Sequence, residues 1–267
     1  MLEFAEILQG RELTRKDCRL TSGIAPLDHL LNGGIVRGRI SEIIGRTGSG
    51  RTSLAASFAA SATSRGEIIA WVEQSPSFDP ESLASAGLDL RRVLWASIRE
   101  SNSASGFDSR QPHARRLDSP QRHAPLAVLL KSAELILEAG GFGLIVIDFG
   151  NSRFPVTQSA ALRLARAAER SGAAVIAISS RRMCGTFAAL SLSLRCVKPC
   201  FSRIAPRSSA IFDGLKLEAT VARNKLGASG RSTILRAIID GVAFAPEKMS
   251  EPPVLAYPDK FQSVKNS

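Results

Sequence analysis

The apolar residues of this chain fall into short blocks that switch between two spacings. Ile40-Ser41-Glu42-Ile43-Ile44 is a compact apolar run that ends at Gly45, and it predicts a strand stopping at a glycine-rich turn. Thr52 to Thr63, rich in alanine with leucine and phenylalanine, predicts a helix directly after that turn. Glu67 to Val72, Arg92 to Ser97, Leu144 to Asp148 and Ala174 to Ile178 predict further strands, the third of them buried and ended by a carboxylate. Between them, Leu126, Leu129, Leu130, Ala133 and Leu137 share one helical face. Thr157 to Ser171 predicts a helix with Arg163, Arg166 and Arg170 on its polar side. Strands alternating with helices point to βαβ units. Leu190 to Leu194 alternates with period two and predicts a half-exposed strand. Lys216 to Ala222 and Thr233 to Ile239 predict a closing antiparallel pair, with Gly227-Ala228-Ser229-Gly230 at the turn. The expected fold class is therefore α/β, a mostly parallel sheet with antiparallel strands at its C-terminal edge.

Four stretches break the pattern. Residues 1–20 have helical spacing only at Phe4, Ile7 and Leu8, and predict a short N-terminal arm ahead of a domain over 21–245. Residues 101–123 carry serines, prolines and Arg110, Arg115, Arg116 and Arg122 with little to bury, which predicts a basic, flexible insertion. Residues 198–210, with two prolines and several serines, predict an irregular loop. Residues 246–267 are polar and proline-bearing, and predict a poorly ordered tail.

The length of 267 residues suits one large α/β core. No apolar run approaches the roughly 18–20 residues that a membrane-spanning helix needs. Met1-Leu2-Glu3-Phe4-Ala5-Glu6 lacks the basic-then-apolar order of a secretory signal. A cytoplasmic protein with no membrane partner is expected, one that associates with the nucleoid if it holds DNA. Cys196 and Cys200 are spaced C-x3-C with no histidine nearby, which reads as free thiols rather than a metal site. The formal net charge of +11 directs attention to a polyanionic partner, single-stranded DNA being the natural one. Aromatic residues make up 6% of the chain, which argues against a surface built on base stacking.

The chemistry concentrates at Gly45-Arg46-Thr47-Gly48-Ser49-Gly50-Arg51-Thr52, which matches the phosphate-loop pattern G-x-x-x-x-G-K-[ST] except that arginine replaces lysine. Glycines let the backbone wrap a phosphate, and the following helix turns its positive end toward it. These eight residues are the expected nucleotide-binding set for ATP. Thr52 supplies a hydroxyl for Mg²⁺, and Asp148, closing its apolar strand, is the expected second support for the ion. Arg51 keeps the positive charge but spreads it over a planar fork, so hydrolysis, which depends on fine placement, is expected to be weakened.

From about Thr21 to Phe244 the chain resembles the RecA recombinase family. The resemblance rests on Thr21-Ser22-Gly23 followed by Leu27-Asp28, on the run Gly33 to Gly45 into the phosphate loop, on Phe78-Asp79-Pro80, on Gly87 to Leu90 and on Arg223-Asn224-Lys225. It implies that Asp79 contributes to the nucleotide site. The departures matter as much. Ser75 occupies the position of the family's catalytic glutamate, with Glu73 two residues earlier as the remaining candidate. Ser82 replaces the adenine-stacking tyrosine, and Ser179-Ser180 replace the glutamine sensor. The DNA-binding loop that follows is reduced to a few residues, among them Arg181 and Arg182, which join Arg115 and Arg116 as candidate DNA contacts. This combination is similar to the ImuA-type RecA-like accessory proteins of bacterial mutagenesis cassettes. The resemblance implies a role in the SOS response and translesion synthesis, with polymerase components and RecA as partners and with self-association through the arm. A DNA-dependent ATPase of the recombinase class and a cell-division inhibitor of the SulA type are the alternatives.

Overall fold

The computed structural model describes residues 19–74, 76–98, 124–152, 154–202, 210–238 and 243–245. Two short strands, β1 (Arg19–Leu20) and β2 (Ile35–Val36), pair antiparallel and flank helix α1 (Ala25–Leu30). The main body follows as β3 (Ile40–Gly45), α2 (Arg51–Ser64), β4 (Ile68–Glu73), α3 (Pro80–Ser85), β5 (Val93–Ser97), α4 (Ala124–Ala139), β6 (Phe142–Asp148), α5 (Gln158–Ser171) and β7 (Ala174–Ser179). It closes with β8 (Ala188–Ser202), β9 (Ile211–Asn224), β10 (Ser232–Ile238) and β11 (Ala243–Ala245). One sheet holds nine of these strands in the order β11-β10-β9-β8-β3-β7-β6-β4-β5. Strands β5, β4, β6, β7, β3 and β8 run parallel, and β8 through β11 run antiparallel. The expected fold class is the observed one.

The alternation of side chains along the central strands builds two cores. Ile69, Trp71, Leu144 and Val146 face α1 and α2, packing with Leu27, Leu54 and Phe58. Ala70, Val72, Ile145 and Ile147 face the other way, onto Leu129 and Ala133 of α4 and Ala161 and Leu164 of α5. A strand that is apolar on both faces has this reason for its continuous hydrophobic run. Both helical layers are therefore held by the same four strands, and every parallel strand delivers its C-terminal end to one side of the sheet.

Two sequence expectations change. The run Leu190–Leu194 is not half exposed: β8 lies between β3 and β9, and Leu190, Ser191, Leu192 and Leu194 are buried. Period-two spacing describes one covered face, but here the second face is covered as well. Residues 198–202 are not loop. They continue β8, paired with β9 as far as Ser202 opposite Ile211. Pro199 is tolerated because this part of β8 extends past the last residue of β3, so no neighbour on that side requires its N–H. Of the arm expected over 1–20, Arg19 and Leu20 instead form β1 of the domain, paired with β2; residues 1–18, the insertion 101–123 and the tail 246–267 lie outside the described residues.

The crossing from β7 to β8 is short and has no α-helix. Glu42, fully buried in the middle of β3, holds it. Its Oε1 accepts from the backbone N–H groups of Met183 and Cys184, each at 2.7 Å, and its Oε2 accepts from Ser191 Oγ at 2.9 Å. Burial, with the Glu42 carboxylate beside it, pushes the Cys184 thiol well above its ordinary value. Glu42→Ala strands two buried N–H groups and a hydroxyl, and is expected to cost about 3 kcal/mol or more in a urea titration. Glu42→Gln keeps an acceptor for the N–H pair and a donor for Ser191, and is expected to cost less than about 1 kcal/mol. Equal losses in the two variants would show that the volume of the side chain, and not its hydrogen bonds, supports the crossing.

Candidate nucleotide site

The sheet ends β3, β6 and β7 meet where three connections begin. Gly45 leads into the glycine loop, Asp148 into the turn at 149–152, and Ser179 into the Arg181–Arg182 segment. The loop is a built cradle. Gly50 is the N-cap of α2 with φ +80°, and a Cβ there would strike Leu217; a Cβ on Gly45 would collide with the Ser49 hydroxyl. No other residue type fits either place without displacing its neighbours. A cavity of about 420 Å³ opens in front, lined by loop residues with Thr52, Ser77, Asp148 and Asn151 among the rest. The N–H groups of the first turn of α2 have no partner within the helix, and the helix dipole adds positive potential there. The arrangement fits a phosphate group.

Arg51 is buried and does not stand free in this cavity. Its Nη1 donates to Gly45 O at 2.7 Å, and its Nη2 donates to Gly150 O at 3.2 Å and to Asn151 Oδ1 at 3.0 Å. Asn151 Nδ2 in turn donates to Thr47 Oγ1 at 3.2 Å. A lysine, with one terminal nitrogen, cannot hold three acceptors spread over two loops in this planar fashion. The fork ties the phosphate loop to the turn after β6.

Asp148 is equally engaged. Its Oδ1 accepts from the Gly150 N–H at 2.7 Å, and its Oδ2 lies 2.6 Å from Ser77 Oγ. The same Ser77 hydroxyl lies 3.0 Å from Glu73 Oε2. One hydroxyl has one proton and faces two carboxyl groups. Burial raises the Asp148 carboxyl above the usual aspartate range, against the lowering effects of Ser77, Gly150 and Arg51. The single Ser77 proton is therefore shared between the Asp148 and Glu73 carboxyl groups. Each oxygen of Asp148 already carries one protein hydrogen bond, so a Mg²⁺ would have to compete for the remaining lone pairs. Thr52 lines the cavity, but its hydroxyl alone is a poor site for an ion that prefers six oxygens.

The remaining candidates are scattered. Glu73 is fully buried and does not line the cavity; Oε2 also accepts from the Ser77 and Phe78 N–H groups, and Oε1 accepts from Trp95 Nε1 at 3.0 Å. It organises the turn after β4, so it is not placed as a general base for water at the phosphate end. Asp79 is exposed at the N-terminus of α3, where the Ser82 hydroxyl donates to it, and it is absent from the cavity lining. Arg46 is exposed on the loop. Ser179 is buried and donates to the Arg181 carbonyl, while Ser180, Arg181 and Arg182 are exposed. Ser75, Arg115 and Arg116 lie outside the described residues. Asn151 and Ser77 belong to the site but were not among the sequence candidates. No spacing rule marks them, because each acts through a fold contact with a residue far along the chain.

Residues 7–104 match the family model of the RecA N-terminal domain. Curated relatives include the RecA proteins of Arthrospira platensis, 39% identical over 75 residues, and of a Picosynechococcus strain, 33% identical over 95 residues. These alignments cover 28% and 36% of this chain and 20% and 27% of the relatives, so the chain spans about a fifth to a quarter of the RecA proteins it matches. Among solved structures, the RadB recombinase superposes with a TM-score of 0.55 over 83% of this chain and 97% of that one, at 19% identity. The fold is RecA-like. Within the RecA-like core the glycine cradle is retained, while the groups expected to act on the terminal phosphate are drawn into the protein's own hydrogen bonds.

The raised Asp148 carboxyl has a sign that can be checked. A carboxyl whose folded value lies above its unfolded value favours the folded state at acid pH. That contribution is lost as pH rises through the folded value. Asp148→Asn keeps an acceptor for the Gly150 N–H, offers Ser77 Oγ an N–H and carries no charge. It is expected to melt at a higher temperature than wild type at neutral pH, with the advantage shrinking as pH falls through the raised Asp148 value. A melting difference that is constant with pH would contradict a raised Asp148 carboxyl.

Proposed function

We propose that this protein is a RecA-like accessory or adaptor in DNA repair, serving the SOS response and error-prone translesion synthesis, with a nucleotide site retained for its shape and not for turnover. The observation that carries this reading is the engagement of Arg51 by Gly45 O, Gly150 O and Asn151, which commits its terminal nitrogens to protein oxygens although the residue lines the cavity. The fully bonded Glu73 and the doubly engaged Asp148 support it. Within this proposal the site is Gly45 to Thr52, with Asp79 at most peripheral, and ATP with Mg²⁺ is held weakly without hydrolysis.

Single-stranded DNA is the proposed polyanion. Arg181 and Arg182 are exposed and leave the sheet at the same end as the phosphate loop, since Ser179 of β7 pairs with Ile44 of β3. Arg115 and Arg116 are further proposed contacts. Translesion polymerase components and RecA are the proposed protein partners, with self-association as the further mode of assembly. Among the described residues no helix is long and apolar enough to cross a membrane.

A second reading, a DNA-dependent ATPase of the recombinase class, draws on the intact glycine cradle and on Thr52. The two readings separate in one assay. Phosphate release from ATP, with and without single-stranded DNA, is expected to equal that of the Asp148→Asn variant. DNA-stimulated release above that variant would sink the adaptor reading and favour the ATPase.

The DNA proposal has its own test. Replacing Arg181 and Arg182 together by alanine is expected to weaken single-stranded DNA binding and to reduce the log–log salt slope by about 0.7 per lost phosphate contact. An unchanged slope would locate the DNA elsewhere on the molecule or remove it.

A further inference from the structure

Two residues outside the glycine motif, Asn151 and Ser77, decide what the cavity can recognise. Asn151 uses both ends of its amide, accepting from Arg51 and donating to Thr47, and it is exposed at the mouth. With Arg51 held on Gly45 O and Gly150 O, the loop and the turn after β6 form one hydrogen-bonded unit with no ligand present. Both terminal nitrogens of the fork are engaged. Turning them to a terminal phosphate would abandon three acceptors, two of them backbone carbonyls that have few other donors in reach.

Ser77 acts on the metal side. Its hydroxyl lies against Asp148 Oδ2, and the Gly150 N–H takes Oδ1, so neither oxygen faces the cavity unbonded. What remains for a ligand is the set of backbone N–H groups around the loop and the first turn of α2, with the Thr52 hydroxyl. Such a set recognises phosphate oxygens by hydrogen bonding and the helix dipole, and it needs no cation. No aromatic side chain lines the cavity, so a base gains no stacking platform there.

We infer that the phosphate loop takes a diphosphate group without a metal ion, in preference to a Mg²⁺-bound triphosphate, with Asn151 and Ser77 as the residues that set this preference. The inference rests on the non-hydrolysing reading above and specifies the ligand of the same site. A triphosphate adds a third charged group where Arg51 is already held by three protein acceptors and Asp148 by two protein donors. A diphosphate places its oxygens on the cradle and leaves the Arg51–Asn151 bonds intact. The diphosphate comes either from a nucleoside diphosphate or from free pyrophosphate.

Isothermal titration calorimetry on the full chain tests this with ADP, pyrophosphate and ATP, each in Mg²⁺ and in EDTA, beside a measurement of ATP turnover. ADP is expected to bind about tenfold more tightly than Mg²⁺–ATP, with an affinity unmoved by EDTA. Pyrophosphate matching ADP would identify the diphosphate alone as the ligand, and weaker pyrophosphate binding would identify the nucleoside diphosphate. Ser77→Ala frees Asp148 Oδ2 and is expected to make ATP binding depend on Mg²⁺. Asn151→Ala, at an exposed position, frees one branch of the fork and is expected to narrow the gap between ADP and ATP. The inference is overturned if Mg²⁺–ATP binds more tightly than ADP, if EDTA abolishes ADP binding, or if none of the three binds. Each of those results, without turnover, leaves the adaptor reading in place; turnover above the Asp148→Asn variant removes the adaptor reading itself.

Discussion

A planar cation buried between two loops is the constraint around which this site is arranged. Arg51 presents donors in fixed directions, and three acceptors, Gly45 O, Gly150 O and Asn151 Oδ1, lie along them. A guanidinium keeps its charge at every accessible pH, so its burial is tolerable only where carbonyl and amide oxygens replace water. Once those oxygens are supplied by the loops themselves, the cation serves to join them. The side chain thereby fixes the shape of the cradle, tying the glycine loop to the turn after β6.

The carboxyl groups nearby follow from the same burial. Glu73 and Asp148 sit on adjacent parallel strands, β4 and β6, directly across from each other in the register. Two carboxyl groups so placed are costly in a low-dielectric interior, and donors from the turns after β4 and β6 offset that cost. Ser77 provides the hydroxyl between them, and the N–H groups of Ser77 and Phe78 cover Glu73. Glu42 on β3, beyond β7, repeats the principle: a buried carboxyl group with no cation partner among the described residues, satisfied by two N–H groups and a hydroxyl. In each case a carboxyl group that could have been chemistry has become a fastener for a loop. The RecA-like frame is kept by these fasteners as much as by its two apolar layers.

The order of the parallel core was legible in the chain because burial on both faces of a strand writes itself as a continuous apolar run, as at Leu144–Ile147. The helices that cover it write themselves as a face, as at Leu126, Leu129, Leu130 and Ala133. The glycine loop was legible because Gly50 takes a left-handed φ of +80° and a Cβ on Gly45 would press on Ser49 and the Leu194 carbonyl. The antiparallel half was less so. Leu190–Leu194 has the spacing of a strand with one wet face, and Pro199 has the look of a loop. Their true environment depends on β9, whose partner residues run from Leu215 opposite Pro199 to Asn224 opposite Leu190.

The sequence by itself determined that a glycine loop of the phosphate-loop pattern is present, that an arginine stands at its lysine position and that the strand-end carboxyl group is Asp148, because these are statements about which residue follows which. Where the arginine points was decided only by the tertiary structure. The acceptors that capture it, Gly150 O and Asn151, are about a hundred positions further along, and they reach it only when β6 is laid beside β7 and β7 beside β3. The engagement of Asp148 by Ser77 likewise requires β4 beside β6. Hydrogen bonds are short and directional, so a local pattern specifies the groups, and only the packed sheet specifies which of them meet.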